Sequence, residues 1–444
     1  MKKGIYEKVM SFKVEAWAFI LFLLLAAVFF VLASWLVWYK SMGGEKGGAL
    51  GEAVMRIAKA PDPFIQMLIS EKKIAKVIQP QIKDFAEFEG FKAYRTGVTD
   101  DGTLLISAFS DSNGVSSVFL YDLATQRILH EWIPPVDALL AQTQHRNEES
   151  KKHNFRSQHP LLLNNGDVLI TSGEGPLMQM DVCGELLWSV DRHFHHSIER
   201  SKTGELYIPI ISADLALPFP LRNDGIAKLS AEGKILKEWS IYEILSRQGY
   251  KSMLNGFGRA EFDRIHLNDI EPIEQDDQFV KKDDLMISVR NLSTVFLYRP
   301  STDQIVWLKT GPWLHQHDVD YLGNGFYSIY GNDMIRGESA DYSYRGYNTI
   351  WRYDQSTDQV SEFLSLKETG INSLTEGRHR VLESGDIIVE ETNAGLIHRV
   401  NQEGRLWSYS HGLGNGKIGA LHWSRYLTKT ESNFGWLDNL QCDK

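Results

Sequence analysis

Only two cysteines, Cys183 and Cys442, occur in 444 residues. That count excludes a disulfide scaffold and a cysteine-built zinc site. A single bridge between the two stays open, but connectivity cannot be read from sequence, and two isolated thiols are the expectation. Positive charge is also scarce. Lys and Arg number 47 against 57 Asp and Glu, a net charge of −10, with no long basic run beyond the N-terminus. No nucleic-acid partner is expected, because such binders cluster Lys and Arg to displace counterions. The acidity reads as solubility. What is present is ordinary globular chemistry, 43% hydrophobic and 23% charged, so disorder is not the default. The length could hold two or three average domains. The 12 Trp, 17 Tyr and 21 Phe tilt the chain toward β structure.

The first feature in chain order is a run without charge from Ala16 to Trp38, long enough to cross a hydrocarbon core of ~30 Å. Trp17, Trp35, Trp38 and Tyr39 stand near its ends, where aromatic rings favour the interface. Lys2, Lys3, Lys8 and Lys13 precede it and Lys40 and Lys46 follow, which orients the N-terminus to the cytoplasm. The run is too long for a typical cleaved signal peptide, and it reads as an uncleaved signal-anchor. The domain expectation follows: residues 1–15 cytoplasmic, 16–38 transmembrane, 39–90 a tether and helical segment, 91–425 a β-propeller, and 426–444 a C-terminal tail. Within the third part, 41–53 is a Gly-rich tether, and 54–90 looks like an amphipathic helical segment packed outside the propeller.

Beyond residue 90 one phrase recurs six times: a Gly/Asp turn, a β-rich run, a second run, another turn, and a strand ending near Trp. It starts at Asp101, Asn165, Thr203, Asp283, Gly323 and Ser384. Such repetition is the signature of a β-propeller, and six phrases predict six blades. One meander cannot bury both its faces, whereas sheets packed around an axis bury them against each other. A two-sheet sandwich is the weaker alternative.

Histidines punctuate the phrases. His159, His195 with His196, His266, His315 with His317, and His379 each lie on a segment leading into a turn, so the expectation is an inner-strand set converging at one mouth of the channel. Clustered imidazoles serve a metal site, acid–base chemistry or nucleophilic catalysis. Arg290, just beyond an inner-strand turn, argues against the metal. A guanidinium among histidines offers paired donors to a tetrahedral oxyanion. Mutual repulsion would also keep an imidazole neutral and nucleophilic.

The phrases HHSIE (195–199), HLNDIEPI (266–273) with DLMISVRNLST (284–294), and HQHDVDYLGNGFYSIYGND (315–333) resemble the bacterial arylsulfotransferase family. The resemblance covers roughly residues 90–425 and implies a six-bladed propeller. It also implies sulfuryl transfer from an aryl sulfate donor to a phenolic acceptor, through a sulfohistidine on His317. His266 and Arg290 would bind the sulfuryl oxygens and His196 would serve as acid and base. Asn268 matches the family's His–x–Asn phrase and is expected at the substrate, as are His195, His159 and His379, the last two as packing or substrate-contact residues rather than catalytic ones. Asp318 either orients an imidazole or closes a turn, and bland loop roles are expected for Glu390, Glu391 and Asn393. No metal or nucleotide cofactor is implied. The expected location is the inner membrane, with the propeller on the periplasmic side. Two other classes remain: a membrane-tethered scaffold propeller, and a metal-dependent lyase or hydrolase using the same histidines. The family's well-described members carry an N-terminal β domain where this chain has the apolar run, so oligomeric state does not transfer.

Overall fold

The computed structural model describes residues 16–41, 88–110, 112–144, 155–212, 221–256, 261–337, 341–414, 417–432 and 434–442. The chain divides into two units, Met1–Ala75 and Lys76–Lys444. The described part of the first is one helix, Ala16–Ser41, whose Trp17–Trp35 stretch is long and apolar enough to cross a membrane. Its Phe29 and Phe30 side chains are exposed, as an apolar helix without a protein partner requires. A signal sequence passes the same test. The expected tether and amphipathic segment (41–53 and 54–90) lie outside the described residues, apart from Ser41 and 88–90.

The second unit is an all-β propeller. Three four-stranded sheets and one five-stranded sheet are separate blades, and an eight-stranded sheet holds the remaining two phrases. The sheets therefore do not divide into the six expected blades. The eight-stranded sheet is bridged at its middle by one residue pair, Ile210 with Phe194. Every ladder is antiparallel, and burial falls from the middle of each sheet outward. Thr103–Ser110 (TLLISAFS) is buried on both faces, whereas Arg127–Trp132 (RILHEW), at the outer edge of the same sheet, is exposed for its first three residues. That gradient follows from sheets packed face to face on both sides.

The cores lie between neighbouring sheets. Ile270 and Ile287 pack with Tyr207 and Ile226, Met286 and Leu297 with Tyr327 and Trp351, and Tyr330 and Ile350 with Ile387 and Val389. Leu104 and Ile106, from the first sheet, pack with Ile388, Ile397 and Trp407 of the last, and so the ring closes. The chain ends cross that seam. Gly90–Ala93 adds a fifth strand to the last sheet, and Arg425–Leu427 is the inner edge of the first. The expected tail boundary at 425/426 thus falls inside a strand, and Phe434, Trp436 and Leu437 continue into the core beside Trp132.

The two cysteines are not isolated thiols: Cys183 and Cys442 form a disulfide with a Cα–Cα distance of 5.4 Å. The seam strand Arg425–Leu427 brings the C-terminus back over the Asp181–Gly184 turn, a proximity that no local spacing encodes. The bridge closes a loop of 259 residues. In the chain-entropy model this destabilises the unfolded chain by up to about 5 kcal/mol. Cys442→Ser, or reduction of the wild type, is expected to lower the melting temperature by several degrees. Melts with and without dithiothreitol check this, and equal melting would mean that the bridge contributes nothing.

Candidate active site

Six segments enter the inner edge of the sheets through a residue in left-handed backbone conformation: His159, His196, His266, His315, Glu376 and Trp423, with φ between 50° and 62°. Non-glycine residues rarely adopt this region. Its recurrence marks one structural position repeated around the ring. His317 and His379 lie two and three residues further along their strands, so the histidine set is not one level. His315, not His317, is the true counterpart of His196 and His266.

Beyond that entrance the set divides into two layers. The first is a chain of imidazoles. His195 Nδ1 lies 2.8 Å from His196 Nδ1, His196 Nε2 lies 3.2 Å from His266 Nε2, and His266 Nδ1 lies 2.6 Å from the Asp263 carboxylate. Arg222 Nη2 approaches His195 Nε2 at 3.4 Å. One proton assignment satisfies these four contacts and leaves only the 3.4 Å approach of His195 Nε2 to the Asp224 carboxylate unserved: Arg222 donates to His195, which donates to His196, which donates to His266, which donates to Asp263. All three rings are then neutral. Burial first, then the neighbouring imidazoles and Arg222, holds His196 well below the usual imidazole range.

His317 completes this layer. Its Nδ1 donates to Asn332 Oδ1 at 2.7 Å, and its Nε2 accepts the Glu376 peptide N–H at 3.1 Å. The Asn332 amide is fixed, because its Nδ2 donates to the carbonyls of Ser373 and Glu376. Burial and the adjacent Arg290 charge keep His317 well below its ordinary pKa. Arg290 is aimed here by local structure. It follows strand Leu285–Val289, begins the one-turn helix Arg290–Leu292, and donates its backbone N–H to the His266 carbonyl. Its side chain is 5% exposed, its Nε has no hydrogen-bond partner, and no carboxylate forms an ion pair with it among the described residues. Burial pushes its pKa down to about 10, so it stays a cation at neutral pH. A buried unpaired guanidinium is costly unless an anion joins it.

The second layer is an acidic channel of about 470 Å³ lined by Glu199, Glu271, Asp320, Arg378, His379 and Arg425. His379 belongs here. Its Nδ1 lies 2.6 Å from Asp318 Oδ2 and its Nε2 2.8 Å from Ser328 Oγ, so Asp318 does orient an imidazole, that of His379. Asp318, Asp320 and His379 have metal-ligand spacing, the one such group among the described residues. Both His379 nitrogens are already engaged, and Arg378 supplies positive charge 4.0 Å from Asp318. His159 is sealed at 0% exposure between Arg378 and Arg425, 3.0 and 3.1 Å away, and accepts the Ile198 N–H. Asn268 is buried and donates to the Gln316 carbonyl at 2.9 Å, which places the His315–His317 segment rather than a ligand. Of the channel-loop residues, Glu390 accepts the Trp423 and Ser424 N–H groups, and Glu391 bonds His398. Asn393 holds the Leu374 N–H.

Sequence reasoning missed Asn332, Glu376, His422 and Trp423. Asn332 stood in the YGND end of a recognised phrase. Glu376 and Trp423 hold no histidine at the repeated position, and His422 lies beyond the last of the six recurring phrases. The left-handed position was the signal, and only its histidine occupants were visible.

No curated protein matches the sequence. Among solved structures, a protein of unknown function from Bacteroides caccae aligns at TM-score 0.48 and 11% identity, covering 74% of this chain and 99% of that one. A streptogramin B lyase aligns at TM-score 0.40 and 12% identity over 72% and 86% of the two chains. A virginiamycin B lyase from Staphylococcus aureus aligns at 0.34 and 11% over 62% and 71%. Residues 159–412, more than half the chain and the span that carries His196, His266, Arg290 and His317, match the family described as Arylsulfotransferase (ASST), and the chain belongs to that family.

Proposed function

We propose that this protein transfers a sulfuryl group from an aryl sulfate to a phenolic acceptor through a sulfohistidine at His317. The observation that carries the reading is the buried guanidinium of Arg290, without an ion-pair partner among the described residues, beside a neutral imidazole whose one N–H is spent on Asn332. That N–H fixes the tautomer and leaves the Nε2 lone pair as the attacking electrons. The Glu376 N–H that now meets Nε2 must give way as the donor enters. Arg290 then holds the equatorial sulfuryl oxygens, as charge-spreading donors do in phosphoryl transfer, and His266 joins it once its Nε2 carries a proton and turns from His196, with Asp263 steadying its Nδ1. Asn268 positions the His317 segment through the Gln316 carbonyl, and His195 anchors the imidazole chain. No nucleotide sulfate donor is needed.

The eight-stranded sheet reads as two blades, giving six, because Leu169 and Phe194 of one half pack face to face with Ile208 and Ala227 of the other. The apolar helix reads as an uncleaved anchor in the inner membrane, N-terminus cytoplasmic and propeller periplasmic. The disulfide supports an oxidising compartment. Incubation of the purified protein with 4-nitrophenyl sulfate and a phenol tests the reading. Chelator-resistant release of nitrophenol, with label trapped on histidine, is expected. Chelator-abolished release would mark a metal enzyme, and no release a scaffold.

A further inference from the structure

We propose that Glu376 and His422 form the dyad that handles the proton in both half-reactions, with His422 Nε2 as the acid and base. The inference rests on the sulfuryl-transfer reading and replaces the role expected of His196. His196 has both ring nitrogens committed within the imidazole chain, at 2.8 and 3.2 Å. His422 does not. Its Nδ1 faces Glu376 Oε2 at 3.3 Å, and its Nε2 has no hydrogen-bond partner among the described residues. A carboxylate on Nδ1 selects the tautomer whose Nε2 lone pair is open, and it steadies the imidazolium that forms when that lone pair takes a proton.

The dyad is joined to the nucleophile. Glu376 is the residue whose peptide N–H meets His317 Nε2 at 3.1 Å, so one residue touches the attacking nitrogen through its backbone and the base through its side chain. Its left-handed φ of 57° aims the two groups apart. Arg156 Nη1 lies 3.4 Å from the other carboxylate oxygen. Next in sequence to His422, Trp423 brings its ring within 6.2 Å of the His317 ring.

The protons balance over the cycle. In the first half-reaction His317 Nε2 forms the S–N bond as the donor S–O bond breaks. His422 enters this step as the imidazolium steadied by Glu376, and the electron pair stays on the aryl oxygen, which takes the proton from His422 Nε2 and leaves the ring neutral. In the second, the acceptor O–H proton passes to His422 Nε2 while its oxygen attacks sulfur, and the S–N pair returns to His317. Glu376 is a positioning residue and does not itself meet the substrate.

The test compares two donors in His422→Ala and Glu376→Gln. Sulfation of His317 is read as a single-turnover burst from 4-nitrophenyl sulfate, whose leaving group needs little protonation, and from phenyl sulfate, whose leaving group needs much. His422→Ala is expected to lose at least about 100-fold more rate with phenyl sulfate than with the nitrophenyl donor, the scale of general acid catalysis. Glu376→Gln should show the same split, smaller. Equal loss with both donors overturns the proposal. A second measurement needs no turnover. Diethyl pyrocarbonate should modify His422 before His196, His266 or His317, and more slowly in Glu376→Gln. If the wild type transfers no sulfuryl group, the function reading falls by itself, and His422 labelled no faster than the other three sinks the dyad.

Discussion

His317→Ala is expected to lose about 10⁴-fold or more in turnover, roughly 5 kcal/mol of barrier, and to carry no sulfate label. The size follows from what the ring supplies. It is the site imidazole whose single N–H is held by an amide that cannot accept a proton in return, Asn332. His195, His196 and His266 hand their lone pairs along a chain, whereas His315, whose Nδ1 donates to the Met334 carbonyl at 2.9 Å, keeps an Nε2 without a partner among the described residues, so His315→Ala is the control and should retain the label on His317. Donor affinity should fall much less, because Arg290 stays in place. The pH dependence carries a sign. Burial and Arg290 disfavour the imidazolium, so His317 remains neutral below the ordinary value of 6.5 and protonates only at lower pH. The acid limb attributable to the nucleophile should accordingly lie under pH 6.5. A limb at or above that value, or an alanine variant that still incorporates label, would mean that the attacking group is another residue.

Arg290→Met is expected to cost about 10³-fold in kcat/KM, and Arg290→Lys about 10²-fold. Guanidinium offers paired donors to two oxygens of a tetrahedral group, where an ammonium is a point charge, and removal of one donor that meets developing charge typically costs 10²–10³. The methionine variant should also be the more stable protein, because it removes a buried cation whose Nε has no partner. That opposition of stability and activity is the discriminating result. A structural arginine would lose both together, so a melting temperature that falls alongside activity would remove Arg290 from the anion site. Inorganic sulfate should raise the wild type's melting temperature and leave that of the methionine variant unchanged.

The propeller was legible because its cause is local: turn residues and β-rich runs repeat along the chain. The apolar run 16–38 was legible for the same reason. His266 and Arg290 could be paired from sequence, since one hairpin joins them and the Arg290 N–H closes on the His266 carbonyl. The histidine level could not. His196, His317 and His379 all lie a few residues before a turn glycine, which predicts one level, whereas the left-handed residues put His315 and Glu376 beside His196. Strand entrances are set by backbone conformation, and turn length varies between repeats, so distance to a glycine is a poor ruler. The disulfide and the seam strand were hidden because both depend on contacts between residues hundreds apart.

The seam strand has a consequence for biosynthesis. His422, Trp423 and Arg425 enter the ring from the last sheet contribution the chain makes, and Arg425 seals His159 from 266 positions away. Until those residues leave the ribosome, the histidine layer lacks a wall, and the Glu376 carboxylate lacks its imidazole. A partly synthesised chain therefore holds the proposed nucleophile, His317, without the imidazole proposed as its proton partner. On the proposed mechanism, chemistry begins only when residues 422–425 have joined the ring.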